Sequence, residues 1–148
     1  MNSRVDDAVK LFMDGYNCAQ AVAGAFAERF GMDKKQVMRL VQPLGAGIGR
    51  QREVCGAVTG MCAVLGMAEG SDVPDAESKK AVYEATRALC GEFREQNGSI
   101  ICRELLGLEQ KHDQPTPAKR TKEYYAERPC ANLCATAAAI FEEHYLQK

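Results

Sequence analysis

The fifteen residues from Val54 to Ala68, VCGAVTGMCAVLGMA, carry no charged side chain. A helix that is apolar on every side has no face for water and must be enclosed by other elements or by lipid. Crossing a bilayer takes roughly 18 to 20 such residues. This run is shorter and holds three glycines, so it predicts a buried helix, from about Arg52 to Met67, at the centre of a helical domain. Gly56 and Gly60 stand four apart. Each costs up to about 1 kcal/mol relative to alanine inside a helix, so something must compensate. With Ala63 they make a small face that a second helix can approach closely, from this chain or from another copy. Alternatively, their bare backbone leaves room beside Cys55 for a partner thiol, a cofactor or a substrate.

The rest of the chain reads as helices that could supply that cover. Val5, Ala8, Val9 and Phe12 form a helical stripe over Arg4 to Met13. Asn17 is a good N-cap for a helix from Cys18 to Phe30, stopped by Gly31. Asp33 caps a short helix through Leu40. Pro43 leads into the glycine-rich loop Gly45 to Gln51. After the Gly70 to Asp75 linker, Ala76 to Gln96 reads as a long helix closed by Asn97 and Gly98. Ser99 caps a short helix, Ile100 to Leu106. Leu108 to Arg128 is polar, with Pro115 and Pro117, and reads mostly as loop with a helical turn near Tyr124. Pro129 opens a last helix to about Tyr145. No strand alternation or repeat is visible, so the expectation is a single all-α domain, residues 1–148, of six or seven helices.

Nineteen basic and twenty acidic residues leave a net charge of −1. That gives no general attraction to nucleic acid or to an anionic membrane. The N-terminal stretch lacks the apolar core of a signal peptide, and a cytoplasmic location is the expectation.

Seven cysteines in 148 residues set the main question. An odd count without an export signal argues against a full disulfide framework. Cys18, Cys55, Cys102 and Cys130 each fall at the expected start of a helix. Unpaired N–H groups and a partial positive charge there favour an anion and can lower a thiol pKa. Arg50 and Arg52 lie near Cys55 in sequence, Arg103 follows Cys102, and Arg128 precedes Cys130. Cys62, Cys90 and Cys134 fall in helix interiors, where cysteine packs as a small hydrophobe.

Other constellations are weaker. Cys130 and Cys134, C-x-x-x-C, share a helix face on which two ligands could hold one metal. No C-x-x-C occurs, which excludes thioredoxin and zinc-ribbon motifs. His112 and His144 read as solvated, as do Tyr124 and Tyr125. The glycines of Gly45 to Gly49 lack the preceding strand and following Lys-Ser/Thr of a nucleotide loop; they read as a tight turn that aims the backbone at Cys55, with Arg50 able to hold a small anion.

The stretch GAGIGRQREVCGAVTGMCAVLG, with GYNCAQAV around Cys18, GSIICRELLG around Cys102 and PCANLCATAAAIFEE from Pro129, resembles the family of redox-active proteins known by the cysteine pattern C_GCAxxG_C_C. The resemblance spans nearly the whole chain. It implies a redox role and four characteristic cysteines, which fall on Cys18, Cys55, Cys102 and Cys130; Cys134 stands where an aliphatic residue is expected.

Two versions of that role share the four residues. They would ligate an iron–sulfur cluster or zinc, with Gly56, Gly60 and Arg50 lining the cofactor site, or they would cycle between dithiol and disulfide, with Cys55 the more nucleophilic. A redox partner of unidentified kind is implied. The contrasting expectation is a helical interaction module, a homodimer, whose cysteines are only core.

Overall fold

The computed structural model describes residues 3–108 and 114–146; His112 lies outside them. The described residues form helices joined by turns, with one isolated antiparallel bridge between Val54 and Ile101, and the all-α reading holds. The helices are α1 (Val5–Met13), α2 (Cys18–Phe26), α3 (Lys34–Val41), α4 (Gly45–Ile48), α5 (Gly56–Glu69), α6 (Ala76–Asn97), α7 (Cys102–Leu105), α8 (Lys122–Glu127) and α9 (Cys130–Leu146). None is long and apolar enough to cross a membrane.

The uncharged helix α5 lies inside, as its composition requires. It packs on α2, α6 and α9, while α1 closes over α2 and α9. Phe12, Phe26, Met61, Phe93 and Phe141 are almost wholly enclosed, and Phe26 meets Phe141 edge to face at 5.1 Å. On the other side of α2, Ala19, Ala23 and Ala27 pack against Val37 and Val41 of α3 in a smaller cluster.

The small face of α5 is occupied by α2 of the same chain. A Cβ on Gly60 would lie 2.9 Å from the Ala19 carbonyl oxygen. A Cβ on Gly56 would lie 3.1 Å from the Cys18 Cβ. The two glycines thus let the alanine-rich α2 close on α5, and that contact compensates their helix cost.

Several boundaries differ from the sequence reading, each for a local reason. The second helix stops at Phe26 and tightens into a 3₁₀ turn, Glu28–Phe30, ended by left-handed Gly31 (φ 75°). The central helix begins at Gly56, because Arg52 to Val54 is drawn into the bridge with Ile101. The helix at Cys102 is one turn with Ile101 at its N-cap; the Ser99 hydroxyl instead accepts from the Ile101 N–H (2.9 Å) and donates to Glu104 (2.6 Å). The turn near Tyr124 is the six-residue α8, capped by Thr121.

The glycine-rich loop is less ordinary than its sequence suggests. Ala46 (54°), Gly47 (69°), Ile48 (67°), Gly49 (60°) and Arg50 (67°) all have positive φ, so α4 winds left-handed. Left-handed backbone costs a residue bearing a Cβ roughly 1–2 kcal/mol, and such strain persists only where the surroundings enforce it. They do so here. The Glu53 N–H donates to the Gly47 carbonyl at 2.9 Å, and a Cβ on Gly47 would come within 2.6 Å of the Arg52 Cα.

Candidate functional site

Four helix starts converge on one cavity. Asn17 caps α2 in a reciprocal capping box: its Oδ1 accepts from the Gln20 N–H (2.9 Å), and its own N–H donates to Gln20 Oε1 (3.2 Å). Cys18 is thereby fixed as the first residue of α2. Cys55 is the N-cap of α5, and its sulfur accepts from the N–H groups of Ala57 and Val58. Cys102 opens α7 and Cys130 opens α9. The Val54–Ile101 bridge sets Cys55 beside Cys102: the Cys55 N–H donates to the Ile100 carbonyl (2.8 Å), and the Cys102 N–H to that of Glu53 (2.6 Å).

The cavity has a volume of about 330 Å³ and is lined by all four of these cysteines. Arg50, Arg52, Arg120 and Arg128 also line it, and no carboxylate does so among the described residues. Two of the arginines are held in place. Arg52 Nη1 donates to Cys102 Sγ at 3.6 Å. Arg120 donates to the carbonyls of Phe12 (2.9 Å) and Tyr16 (3.0 Å) and lies 4.2 Å from the Phe12 ring centre.

Cys18 is the hub of the sulfur contacts: its thiol hydrogen-bonds with those of Cys130 and Cys134. Cys134 lies one turn deeper, fully buried, and does not reach the cavity. Its Sγ points back at the Cys18 carbonyl, 4.0 Å away. Between the two cysteines of the C-x-x-x-C pair, Cys130 is therefore the one at the site. Gly56 and Arg50 line the cavity, whereas Gly60 serves the α2 contact.

The expectation that helix starts lower these thiol pKa values does not hold in this arrangement. Burial pushes the Cys55 thiol up to about 12, against the opposing N–H groups of Ala57 and Val58. The hydrogen bond to Cys18, with burial, holds Cys130 far above the usual thiol range. In Cys18 the contact with Cys130 favours the thiolate, but Cys134 and burial outweigh it and the value is well raised. Burial also raises Cys102, with Arg52 opposing it. Taking a thiolate out of water costs more here than a helix terminus of about half a charge returns. At neutral pH the four sulfurs rest as thiols.

Iron–sulfur or zinc ligation asks for sulfurs drawn into one coordination shell about 2.3 Å from the metal. Among the described residues, no group of three or more His, Cys, Asp or Glu side chains is drawn together closely enough to hold a metal ion. The donor chemistry suits such a group, but the spacing among the described residues does not.

Several features of the site lay outside the sequence reading. Arg120 and Tyr124 sit in the stretch read as polar loop and solvated surface; both line the cavity, and Tyr124 is half-buried. The only sequence signal was the four-residue spacing of Arg120, Tyr124 and Arg128 just before Pro129. Cys62 and Cys90, read as inert core, are half-buried and hydrogen-bond to each other. His144 is not solvated but contacts Glu69 Oε2 at 2.8 Å, both side chains largely covered.

A helical domain with four thiols facing one arginine-walled cavity is a cysteine-based protein of redox type. The model of the family described as "Putative redox-active protein (C_GCAxxG_C_C)" matches residues 16–144, and the chain belongs to that family. No curated protein and no solved structure matches it.

Proposed function

We propose that the cavity carries out dithiol–disulfide exchange with a small anionic disulfide, using Cys18 and Cys130 as the reacting pair. The observation that carries this reading is the cavity itself, with four cysteines and four arginines on its walls and no carboxylate among the described lining residues. Cys18 and Cys130 are chosen because their thiols already touch and both reach the cavity. One of the two sulfurs, after losing its proton, attacks a sulfur of the substrate and expels the first thiolate. The other then displaces the substrate's remaining half. The products are the Cys18–Cys130 disulfide and two substrate thiols, which take up the two protons released. The arginines attract the anionic substrate and favour the thiolate that forms in its presence. Cys102, against Arg52, and Cys55, beside it, complete the sulfur wall.

The test is a redox titration of oxygen-free, fully reduced protein with oxidised glutathione, with disulfides mapped by mass spectrometry and metals quantified on the same sample. A Cys18–Cys130 bridge that a Cys18→Ser variant abolishes supports the proposal. Near-stoichiometric iron or zinc, lost on Cys55→Ser substitution, would replace it with the ligation reading. A metal-free protein whose four thiols all remain reduced would favour a helical module with structural cysteines.

A further inference from the structure

A second pair of thiols lies away from the cavity. Cys62 sits two turns into α5 and Cys90 sits on α6, helices that pack side by side. Each thiol is the other's hydrogen-bond partner. Both residues are half-buried, and neither lines the four-cysteine cavity. We propose that Cys62 and Cys90 form a second, independent dithiol, which reacts with low-molecular-weight disulfides and closes into a disulfide joining α5 to α6.

Three features carry the inference. Two thiols in mutual contact on separate helices need only small side-chain rotations to bond, so the helices need not move apart or unfold. Partial exposure admits a small oxidant, which buried core cysteines exclude. The pair is also asymmetric. Contact with Cys62 and the nearby charge of Arg94 both favour the Cys90 thiolate, while contact with Cys90 and burial raise Cys62. Cys90 is thus the attacking sulfur and Cys62 the resolving one.

The chemistry balances with the disulfide as oxidant. The Cys90 thiolate attacks one sulfur of the small disulfide, forming a mixed disulfide and releasing one thiolate. Cys62 then gives up its proton and attacks the Cys90 sulfur, releasing the second. The protein loses two electrons and two protons; the oxidant leaves as two thiols.

The experiment uses the full chain, reduced without oxygen and treated with oxidised glutathione near pH 7.5. It is then quenched by alkylation, digested and mapped with fragmentation that separates Cys55 from Cys62. The expected product joins the Cys62 and Cys90 peptides at a mass two hydrogens below their sum. Cys62→Ser should leave Cys90 trapped as the glutathione mixed disulfide. In Cys90→Ser, glutathione should add to Cys62 at least tenfold more slowly than it adds to Cys90 in Cys62→Ser. The bridge should form equally in a Cys18→Ser, Cys130→Ser background, which separates its fate from that of the cavity. Wild-type protein in which Cys62 and Cys90 both remain alkylatable, or bond only to cavity cysteines, would overturn the proposal.

Discussion

Arg52 reaches Cys102 with its guanidinium, Nη1 to Sγ 3.6 Å, from a backbone held at a left-handed φ of 60°. The strained conformation has a consequence. Arg52 is almost fully buried, and the turn after α4 directs its charge at a sulfur rather than at solvent. Charge and burial act on Cys102 in opposite directions, with burial the larger.

Removing that cation should leave burial unopposed. An opposite charge at contact is worth on the order of one to three pKa units, so Arg52→Gln should slow alkylation of Cys102 at pH 8 by about tenfold or more, and Arg52→Lys by less. Residue-resolved alkylation rates measure it. Equal rates in wild type and Arg52→Gln would show that the guanidinium does not govern the sulfur.

The raised Cys55 value predicts how stability varies with pH. Below 9.0, the ordinary value, Cys55 is a thiol in both folded and unfolded chains, and its contribution is fully present. Between 9.0 and about 12 the unfolded chain loses this proton while the folded one retains it, so the fold loses up to about 4 kcal/mol as pH rises. Urea unfolding of reduced protein at pH 8.5 to 11 should show the stability difference between wild type and Cys55→Ala shrinking steadily. A difference that stays constant over that range would contradict the burial argument.

Asn17 joins two jobs that a single substitution can separate. Its Oδ1 caps α2 beneath Cys18, while its Nδ2 donates to the Gln42 carbonyl at 2.9 Å. Asn17→Ala should lose both and cost about 1–2 kcal/mol. Asn17→Asp keeps the cap and loses the donor, so it should cost less. Thermal unfolding distinguishes them, and equal losses would mean that the Gln42 contact dominates.

How much of this was legible in the sequence follows from the range of the forces involved. Helix starts at Asn17 and Asp33 were readable because capping is local: each side chain accepts from an N–H three residues on. Position at a helix start singled out Cys18, Cys55, Cys102 and Cys130 one by one, and the resemblance to the family grouped them; their convergence on one cavity is a matter of tertiary packing. The bridge between Val54 and Ile101 was not readable, since it pairs residues far apart in sequence and leaves no alternating pattern. That same bridge moved the start of α5 from Arg52 to Gly56. The direction of the thiol pKa shifts was misjudged because helix ends are visible in a sequence and burial is not. The Cys62–Cys90 contact was missed for a related reason: each residue alone looks like core, and only the packing of α5 on α6 makes them a pair.

Two glycines of α5 should respond oppositely to the same substitution. At Gly60 a new Cβ would lie 2.9 Å from the Ala19 carbonyl oxygen and 3.1 Å from the Val22 Cβ. Alanine there gains up to about 1 kcal/mol of helix propensity, but it forces α2 away from α5, and such overpacking typically costs about 1–3 kcal/mol. The balance is a net loss. Because Cys18 rides on α2, which also packs on α9 where Cys130 begins, the displacement should also disturb the cavity and slow formation of the Cys18–Cys130 bridge. At Gly66, exposed on the same helix, a Cβ meets nothing within 4 Å, so alanine should stabilise by about 0.5–1 kcal/mol and leave thiol chemistry unchanged. Chemical denaturation of both variants, with disulfide mapping alongside, tests the pair. A Gly60→Ala protein as stable as Gly66→Ala would mean that α2 and α5 do not meet at the closeness on which the site depends.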